Sequence, residues 1–182
     1  MYAIFAFMEN PNSYPYASPI GQLLVIGDSQ GIHAIVFSDK NEETISNEIP
    51  GNPTLDSWPV PVRQCFQQLD EYFAGKRTEF EVKLSPEATE FQQKVWDELL
   101  KIPLGKTVTY GNIAAQIGQP KAAQAVGAAN GQNPIPIIVP CHRVIGSNGT
   151  LTGYAGGLWR KEWLLKHENI KLPGKQLSLL DF

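Results

Sequence analysis

VPCHRVIG, spanning Val139 to Gly146, sets a cysteine, a histidine and an arginine side by side. A thiolate is a strong nucleophile, and it needs a neighbour that takes the thiol proton or stabilises the anion. His142 can do so only if its ring folds back toward Cys141, directly or through a water, because neighbouring side chains on an extended strand point to opposite faces. Glu168, at the end of LWRKEWLLKHE, could then hold the imidazole tautomer, as a carboxylate does in a hydrolase triad. Alone, a Cys-His dipeptide fits a Cys-His hydrolase or arises by chance.

The chain has one other cysteine. Cys65 lies in PVRQCFQQLDEYF, where Val62, Cys65, Phe66, Leu69, Tyr72 and Phe73 recur at helical spacing, so it reads as a small core residue. Two cysteines so far apart make no disulfide framework and match no zinc spacing.

The elements around Cys141 must position it. NPIPIIVPCHRVIG reads as an extended, proline-punctuated segment that is not helical, and SNGTLTGYAGG, with four glycines, as a loop able to wall a pocket with backbone amides. LWRKEWLLKHE reads as a helix with Trp159, Trp163 and Leu164 toward the core. His167 reads as a surface residue.

Upstream, TVTYGNIAAQIGQPKAAQAVGAANGQ places Thr109 to cap a short helix carrying Ile113, Ala114 and Ile117. Gly118 breaks that helix, and Pro120 suits the first turn of a second one reaching about Asn130. Two short helices around a tight glycine turn make a helix-turn-helix. Lys121, Ala122, Ala123, Gln124, Ala125 and Gly127 offer one base and few side chains long enough for base edges. Small side chains allow close backbone approach, which fits the minor groove and binding by phosphates and shape, with little sequence preference.

The N-terminal part reads as β then helix. SPIGQLLVIGDSQGIHAIVFSD is a hairpin around DSQG, with His33 an ordinary strand residue, and 40–60 is an acidic, Pro- and Gly-rich loop. A helix at about 60–74, a strand in TEFEVKL and a helix at about 88–101 follow. The fold class expected is α+β. Residues 1–85 form an α/β domain, 86–170 a mostly helical domain with the helix-turn-helix, and 171–182 a tail.

The formal charge of −3 argues against a generally basic nucleic-acid binder, but it is unevenly spread. Residues 1–100 hold fifteen acidic and six basic side chains, residues 101–182 nine basic and three acidic, and none from Lys101 through Lys161 is acidic. That tract suits a surface approaching a polyanion. No apolar window is long enough for a membrane span, and MYAIFAFMENPN lacks the basic start of a secretory signal. A cytoplasmic location is expected, or a nuclear one in a cell with a nucleus.

The run NPIPIIVPCHRVIGSNGTLTGYAGGLWRKEWLLKHE closely resembles the active-site segment of the O6-alkylguanine-DNA alkyltransferases, also called methylated-DNA-protein-cysteine methyltransferases. PCHRV, the preceding Asn-Pro, the GYAGG loop and KEWLLKHE occur in the family's order. The likeness is strong over 86–170 and looser before it, in SPIGQLLV and EYFAGK. It implies an RNase H-like N-terminal domain, and Cys141 as the nucleophile that takes the alkyl group of an O6-alkylated guanine irreversibly, once per molecule.

By the same resemblance His142, through a water, and Glu168 form a relay that maintains the thiolate, and Asn133 braces the active-site turn. Tyr110 donates to a ring nitrogen of the leaving guanine. Main-chain groups around Cys141, Val144 and Ala155 read the base edge, and Tyr154 shapes the pocket. Lys121, Ala122, Ala123, Gln124, Ala125, Gly127 and Arg143 would face the DNA. The family usually has an arginine where this chain has Gln124, which implies weaker DNA affinity or slower transfer. Some relatives hold a structural zinc in the N-terminal domain; this one offers only Cys65 and His33, so no metal and no cofactor are expected.

The resemblance also implies a monomer acting on double-stranded DNA. The tail PGKQLSLLDF resembles bacterial peptides that dock on the sliding clamp, with Gln176, Leu179 and Phe182 as anchors. The alternatives are a non-enzymatic lesion-binding protein of the alkyltransferase-like kind, a DNA-binding regulator and a Cys-His hydrolase. Alkyltransferase-like proteins typically replace the cysteine, which is present here.

Overall fold

The computed structural model describes residues 12–38 and 57–171. Strands β1 (Ser13–Ser18), β2 (Gly21–Asp28) and β3 (Gly31–Ser38) form an antiparallel meander in that order. The expected hairpin is β2–β3, turning through Ser29 and Gln30, where Asp28 Oδ1 accepts the Gln30 N–H at 2.7 Å. β1 has no counterpart in the sequence reading: Pro15 obscures it, and proline is tolerated there because β1 is an edge strand. The 40–60 loop falls almost wholly outside the described residues.

Helix α1 (Val60–Phe73) begins with proline at its second residue and buries Val62, Cys65, Leu69 and Tyr72 against the sheet. Tyr16 of β1 meets it, donating to Asp70 at 2.8 Å. The strand expected in TEFEVKL shrinks to one parallel bridge, Ile32 to Leu84, made by the Ile32 N–H to Lys83 O (2.9 Å) and the Ser85 N–H to Ile32 O (2.8 Å). Pro86 has no N–H with which to extend the ladder, and the chain leaves there. Gly31 is required at this crossing, since a Cβ on it would come within 2.8 Å of Lys83 O.

Helix α2 (Glu90–Leu100) starts at a capping box: Thr89 Oγ1 accepts the Gln92 N–H, and the Gln92 side chain accepts the Thr89 N–H. Val95, Trp96 and Leu99 form its buried face, and Trp96 Nε1 donates to Ala129 O at 2.9 Å. The expected Thr109 cap opens α3 (Tyr110–Gln116), and Asn112 completes it as a second capping box. Gly118, at φ +75°, ends it.

Helix α4 (Ala123–Gly131) begins three residues later than Pro120 suggested, because Gln119 to Ala122 close a turn of their own, with the Ala122 N–H on Gln119 O at 2.8 Å. β4 (Val108–Thr109) pairs in parallel with β5 (Val144–Ile145), tying the start of α3 to the strand after Cys141. Helix α5 (Leu158–His167) closes the fold. One continuous core runs from Tyr16, Ile20 and Leu23 through Val95 and Val126 to Leu164. No described helix is long and apolar enough to cross a membrane.

Candidate active site

The segment before Cys141 is not extended. The Val139 N–H reaches Ile135 O at 3.0 Å, Ile137 takes φ +77°, and Asn133 clasps the loop by donating to Val139 O (2.8 Å) and accepting from the Ile135 N–H (3.0 Å). Prolines exclude a helix here, but a side-chain clasp allows a tight loop where sequence suggests a strand. Cys141, His142 and Arg143 then form one 3-10 turn. At about three residues per turn, neighbouring side chains diverge by a third of a turn, so the opposite-face objection to a Cys-His pair falls away.

Behind the turn lies a buried ionic cluster. Glu168, 1% exposed at the C-terminal cap of α5, accepts His142 Nε2 at 2.8 Å, Arg143 Nη2 at 2.9 Å and the Tyr72 hydroxyl at 2.8 Å on Oε1, and Arg143 Nε at 2.8 Å on Oε2. Burial alone would raise the Glu168 carboxyl, but the hydrogen bonds from His142 and Arg143 outweigh it and hold it down at about 2. Burial likewise keeps His142 below its ordinary value despite the carboxylate beside it. A neutral imidazole facing an ionised carboxylate must carry its proton on Nε2, which leaves Nδ1 as a bare acceptor. Nδ1 is buried and has no hydrogen-bond partner.

Cys141 is itself 4% exposed. Burial pushes its thiol up to about 11, with Asn133 and the Lys161 ammonium pulling the other way. Lys161 is fully buried, donates to Val144 O (2.7 Å) and Thr152 O (3.0 Å), and is brought down to about 8 by burial.

The residues expected to wall a pocket come from three places. Tyr110, at the start of α3, shares a hydrogen bond with Thr152 Oγ1 at 2.8 Å. Tyr154 leans edge-on to Phe37 of β3 with ring centroids 5.9 Å apart, and its buried hydroxyl has no partner. Gly156 lies so close to Phe37 that a Cβ would meet the ring at 2.6 Å. Arg160 fixes this loop to the β1–β2 turn by donating to Gly156 O and Ile20 O, both at 2.8 Å. Val144 O, one of the expected base-reading groups, already accepts Lys161 and keeps one lone pair. Ala155 is exposed at the loop tip.

Several expectations need correction. Arg143 was read as facing DNA; it is buried, spent on Glu168 and on Ile102 O at 2.6 Å, because a carboxylate inside the protein needs a bidentate counter-ion. Gly127 is half-buried like Ala122 and Ala123, and a Cβ on it would lie 3.8 Å from the Tyr110 ring. Trp159 was placed toward the core and is 53% exposed, under the Arg160 guanidinium. His167 is not a surface residue: its ring stacks on Trp163 at 4.9 Å and Nε2 bonds Tyr72 O at 2.8 Å. Lys121, Gln124 and Ala125 are exposed, and Ala122 and Ala123 half-buried.

Sequence reasoning missed Lys161, Asn130 and the role of Tyr72. Asn130, buried at the end of α4, donates to Cys141 O at 3.4 Å and joins the helix-turn-helix to the cysteine turn. Lys161 shares its helical face with Leu164, Leu165 and Glu168, all buried, and that spacing was the available signal. Among the described residues no cluster of three or more His, Cys, Asp or Glu could hold a metal ion.

A helix-turn-helix bonded directly to a buried thiol turn, backed by a carboxylate-held imidazole, defines a protein class that couples a nucleic-acid-type surface to cysteine chemistry. Two family models divide the chain: "6-O-methylguanine DNA methyltransferase, ribonuclease-like domain" matches residues 14–86, and "6-O-methylguanine DNA methyltransferase, DNA binding domain" matches 90–170. A methylated-DNA–protein-cysteine methyltransferase of Methanosarcina acetivorans is 53% identical over 156 residues, 84% of this chain and 95% of that protein. One of Mycobacterium tuberculosis is 48% identical over 164 residues, 90% and 95% of the two chains.

Among solved structures, the O6-methylguanine methyltransferase of Mycobacterium tuberculosis superposes with a TM-score of 0.73 at 45% identity, covering 90% of this chain and 96% of that one. Mycobacterium tuberculosis OGT in complex with DNA superposes with a TM-score of 0.72 at 46% identity, covering 86% and 92%. The chain belongs to the methylated-DNA–protein-cysteine methyltransferase family.

Proposed function

We propose that this protein repairs DNA directly, moving the alkyl group of O6-alkylguanine onto Cys141 in a single irreversible turnover. The observation that carries this is the His142 ring, whose Nε2–H is committed to Glu168 while Nδ1, one residue from the thiol, has no partner. The thiol proton passes to Nδ1, directly or through one water, as the Sγ–carbon bond forms and the O6–carbon bond breaks. The electron pair of the broken bond stays on guanine, where the Tyr110 hydroxyl donates to a ring nitrogen as negative charge develops. The proton on His142 is stabilised by the Glu168 carboxylate, and a thioether on Cys141 has no route back.

Asn133 holds the turn that presents Cys141, main-chain groups of Cys141, Val144 and Ala155 read the base, and Tyr154 closes the pocket. A guanine in duplex DNA hides O6 within the stack, so the nucleotide must be flipped, at a cost of a few kcal/mol. Lys121, Ala122, Ala123, Gln124 and Ala125 meet the minor groove of double-stranded DNA with little sequence preference. The likeness to a relative solved with DNA supports this placement. O4-alkylthymine is a second candidate substrate.

The division of labour keeps a boundary near residue 86, with 171–182 as a tail, and the protein acts as a monomer in the cytoplasm, or in the nucleus where there is one. The tail's clamp-binding reading, through Gln176, Leu179 and Phe182, falls outside the described residues. Removing 176–182 is expected to reduce clamp capture in a pull-down; unchanged capture contradicts it. A purely lesion-binding role is disfavoured, since it has no use for a buried thiol with a proton acceptor and carboxylate behind it. With excess O6-methylguanine duplex, guanine restored is expected to stop at one per chain; none restored, or continuing turnover, contradicts the function.

A further inference from the structure

Tyr72 belongs to α1, in the part of the chain before the residue-86 boundary, yet its hydroxyl ends on the oxygen of Glu168 that also holds His142 Nε2. The residue is 1% exposed, and its ring is fixed on three sides by Phe73 (5.3 Å between centroids), Phe80 (5.4 Å) and His167 (5.1 Å). Its backbone carbonyl is taken by His167 Nε2 at 2.8 Å, so the end of α5 is tied to Tyr72 twice, once by side chain and once by main chain. Nothing about packing α1 on the sheet requires that hydroxyl. An apolar ring would fill the same space, whereas a buried hydroxyl needs an acceptor, and Glu168 supplies it.

We propose that Tyr72 is a positioning residue for the transfer reaction: its hydroxyl fixes the Glu168 carboxylate and shares its charge, and so sets how strongly His142 holds a proton. The inference rests on the proposed role of His142 as the acceptor of the Cys141 proton. The groups facing this pair are Arg143 and Cys141 from the 3-10 turn, Lys161 and His167 from α5, and Tyr154 from the loop before α5. Of these, Arg143 and His142 are the other donors to the carboxylate.

The sign follows from shared charge. With four donors on two oxygens, Glu168 draws only moderately on the His142 N–H. Remove the Tyr72 hydroxyl and Oε1 keeps two donors, the carboxylate becomes more basic, and the imidazolium beside it gains stability relative to neutral imidazole. His142 then stays protonated to higher pH, and protonated His142 cannot take the thiol proton. The N-terminal domain thus reaches into the chemistry through one hydroxyl, besides its part in the core.

The test is the second-order rate of methyl transfer across pH, for wild type, Tyr72→Phe and Tyr16→Phe. Tyr16→Phe is the control, because it removes a hydrogen bond of the same helix, to Asp70 at 2.8 Å, without touching Glu168. Tyr72→Phe is expected to move the acid limb upward by about half a pH unit, roughly threefold slower on the limb and unchanged on the plateau. Tyr16→Phe is expected to lower Tm and leave the profile in place. Superimposable profiles for wild type and Tyr72→Phe, an equal slowing at every pH, or the same shift in Tyr16→Phe would each overturn the proposal.

The His142 ring nitrogen resonances, read by NMR at neutral pH, give an answer that needs no transfer. They should change in Tyr72→Phe and not in Tyr16→Phe, and no change in Tyr72→Phe overturns the inference. A wild type that leaves Cys141 unmethylated while those resonances respond removes the proposed function and not the effect of Tyr72 on His142.

Discussion

Cys65 and Cys141 differ in what surrounds them more than in how deeply they lie. Both are buried, neither is in a disulfide, and burial lifts both thiols, Cys65 to about 12 and Cys141 to about 11. Around Cys65, in the middle of α1, are apolar side chains and no group drawing its proton off. Around Cys141 are Asn133, the Lys161 ammonium and a histidine with a bare ring nitrogen. Depth alone therefore makes a cysteine inert, and reactivity must come from neighbours able to remove the proton when the electrophile arrives.

The most severe way to break the comparison is to exchange the two. Cys141→Ser is expected to abolish alkyl transfer to below detection in a single-turnover assay, while Cys65→Ala leaves the rate within twofold and lowers stability by about 1 kcal/mol for the small cavity. Next comes Glu168→Gln, which leaves the Arg143 guanidinium buried without a counter-charge. A loss of about 3–5 kcal/mol in denaturant unfolding is expected, with transfer slowed in whatever folds. An unfolding midpoint within error of wild type would show that the cluster is not what holds α5 to the turn.

The pH dependence of stability separates the groups. Glu168 titrates at about 2 in the folded protein against 4.5 ordinarily, so its contribution is complete above about 4.5 and is lost as pH falls toward 2. The cysteines act in the opposite direction. Their folded values lie above the ordinary 9.0, so the stability they confer is complete below that and is lost as pH rises through about 11 and 12. Cys65→Ala should flatten part of the alkaline decline in Tm and leave the acid side unchanged.

Lys161→Met sharpens the comparison further by making the surroundings of Cys141 resemble those of Cys65. About a tenfold slower transfer is expected, equivalent to one pH unit of lost thiolate stabilisation. The smallest effect belongs to the outer face. Gln124→Arg should raise the second-order rate severalfold and steepen its salt dependence by about one phosphate contact, with an unchanged rate counting against it.

What could be read from sequence followed from local rules. The Thr109 cap, the β2–β3 turn and the apolar face of α1 depend on residues near each other in the chain, and each formed where expected; the Thr89–Gln92 box is equally local but was not read. The Cys-His-Glu grouping was legible because a motif carried it. Contacts across the chain were not: Arg143 looked like a DNA contact until its carboxylate partner was located, and Lys161 drew notice only as the end of the acid-free tract. Tyr72 looked like core, which its ring is, while its hydroxyl is not. The proline-rich approach to Cys141 misled because backbone propensity cannot anticipate the Asn133 clasp.

The most direct test is the mass of the intact protein after exposure to an O6-methylguanine duplex, followed by peptide mapping. One methyl group per chain, on Cys141 with Cys65 unmodified, is the result expected. Unmodified protein that nevertheless binds the lesion, or methyl on Cys65, would contradict the account.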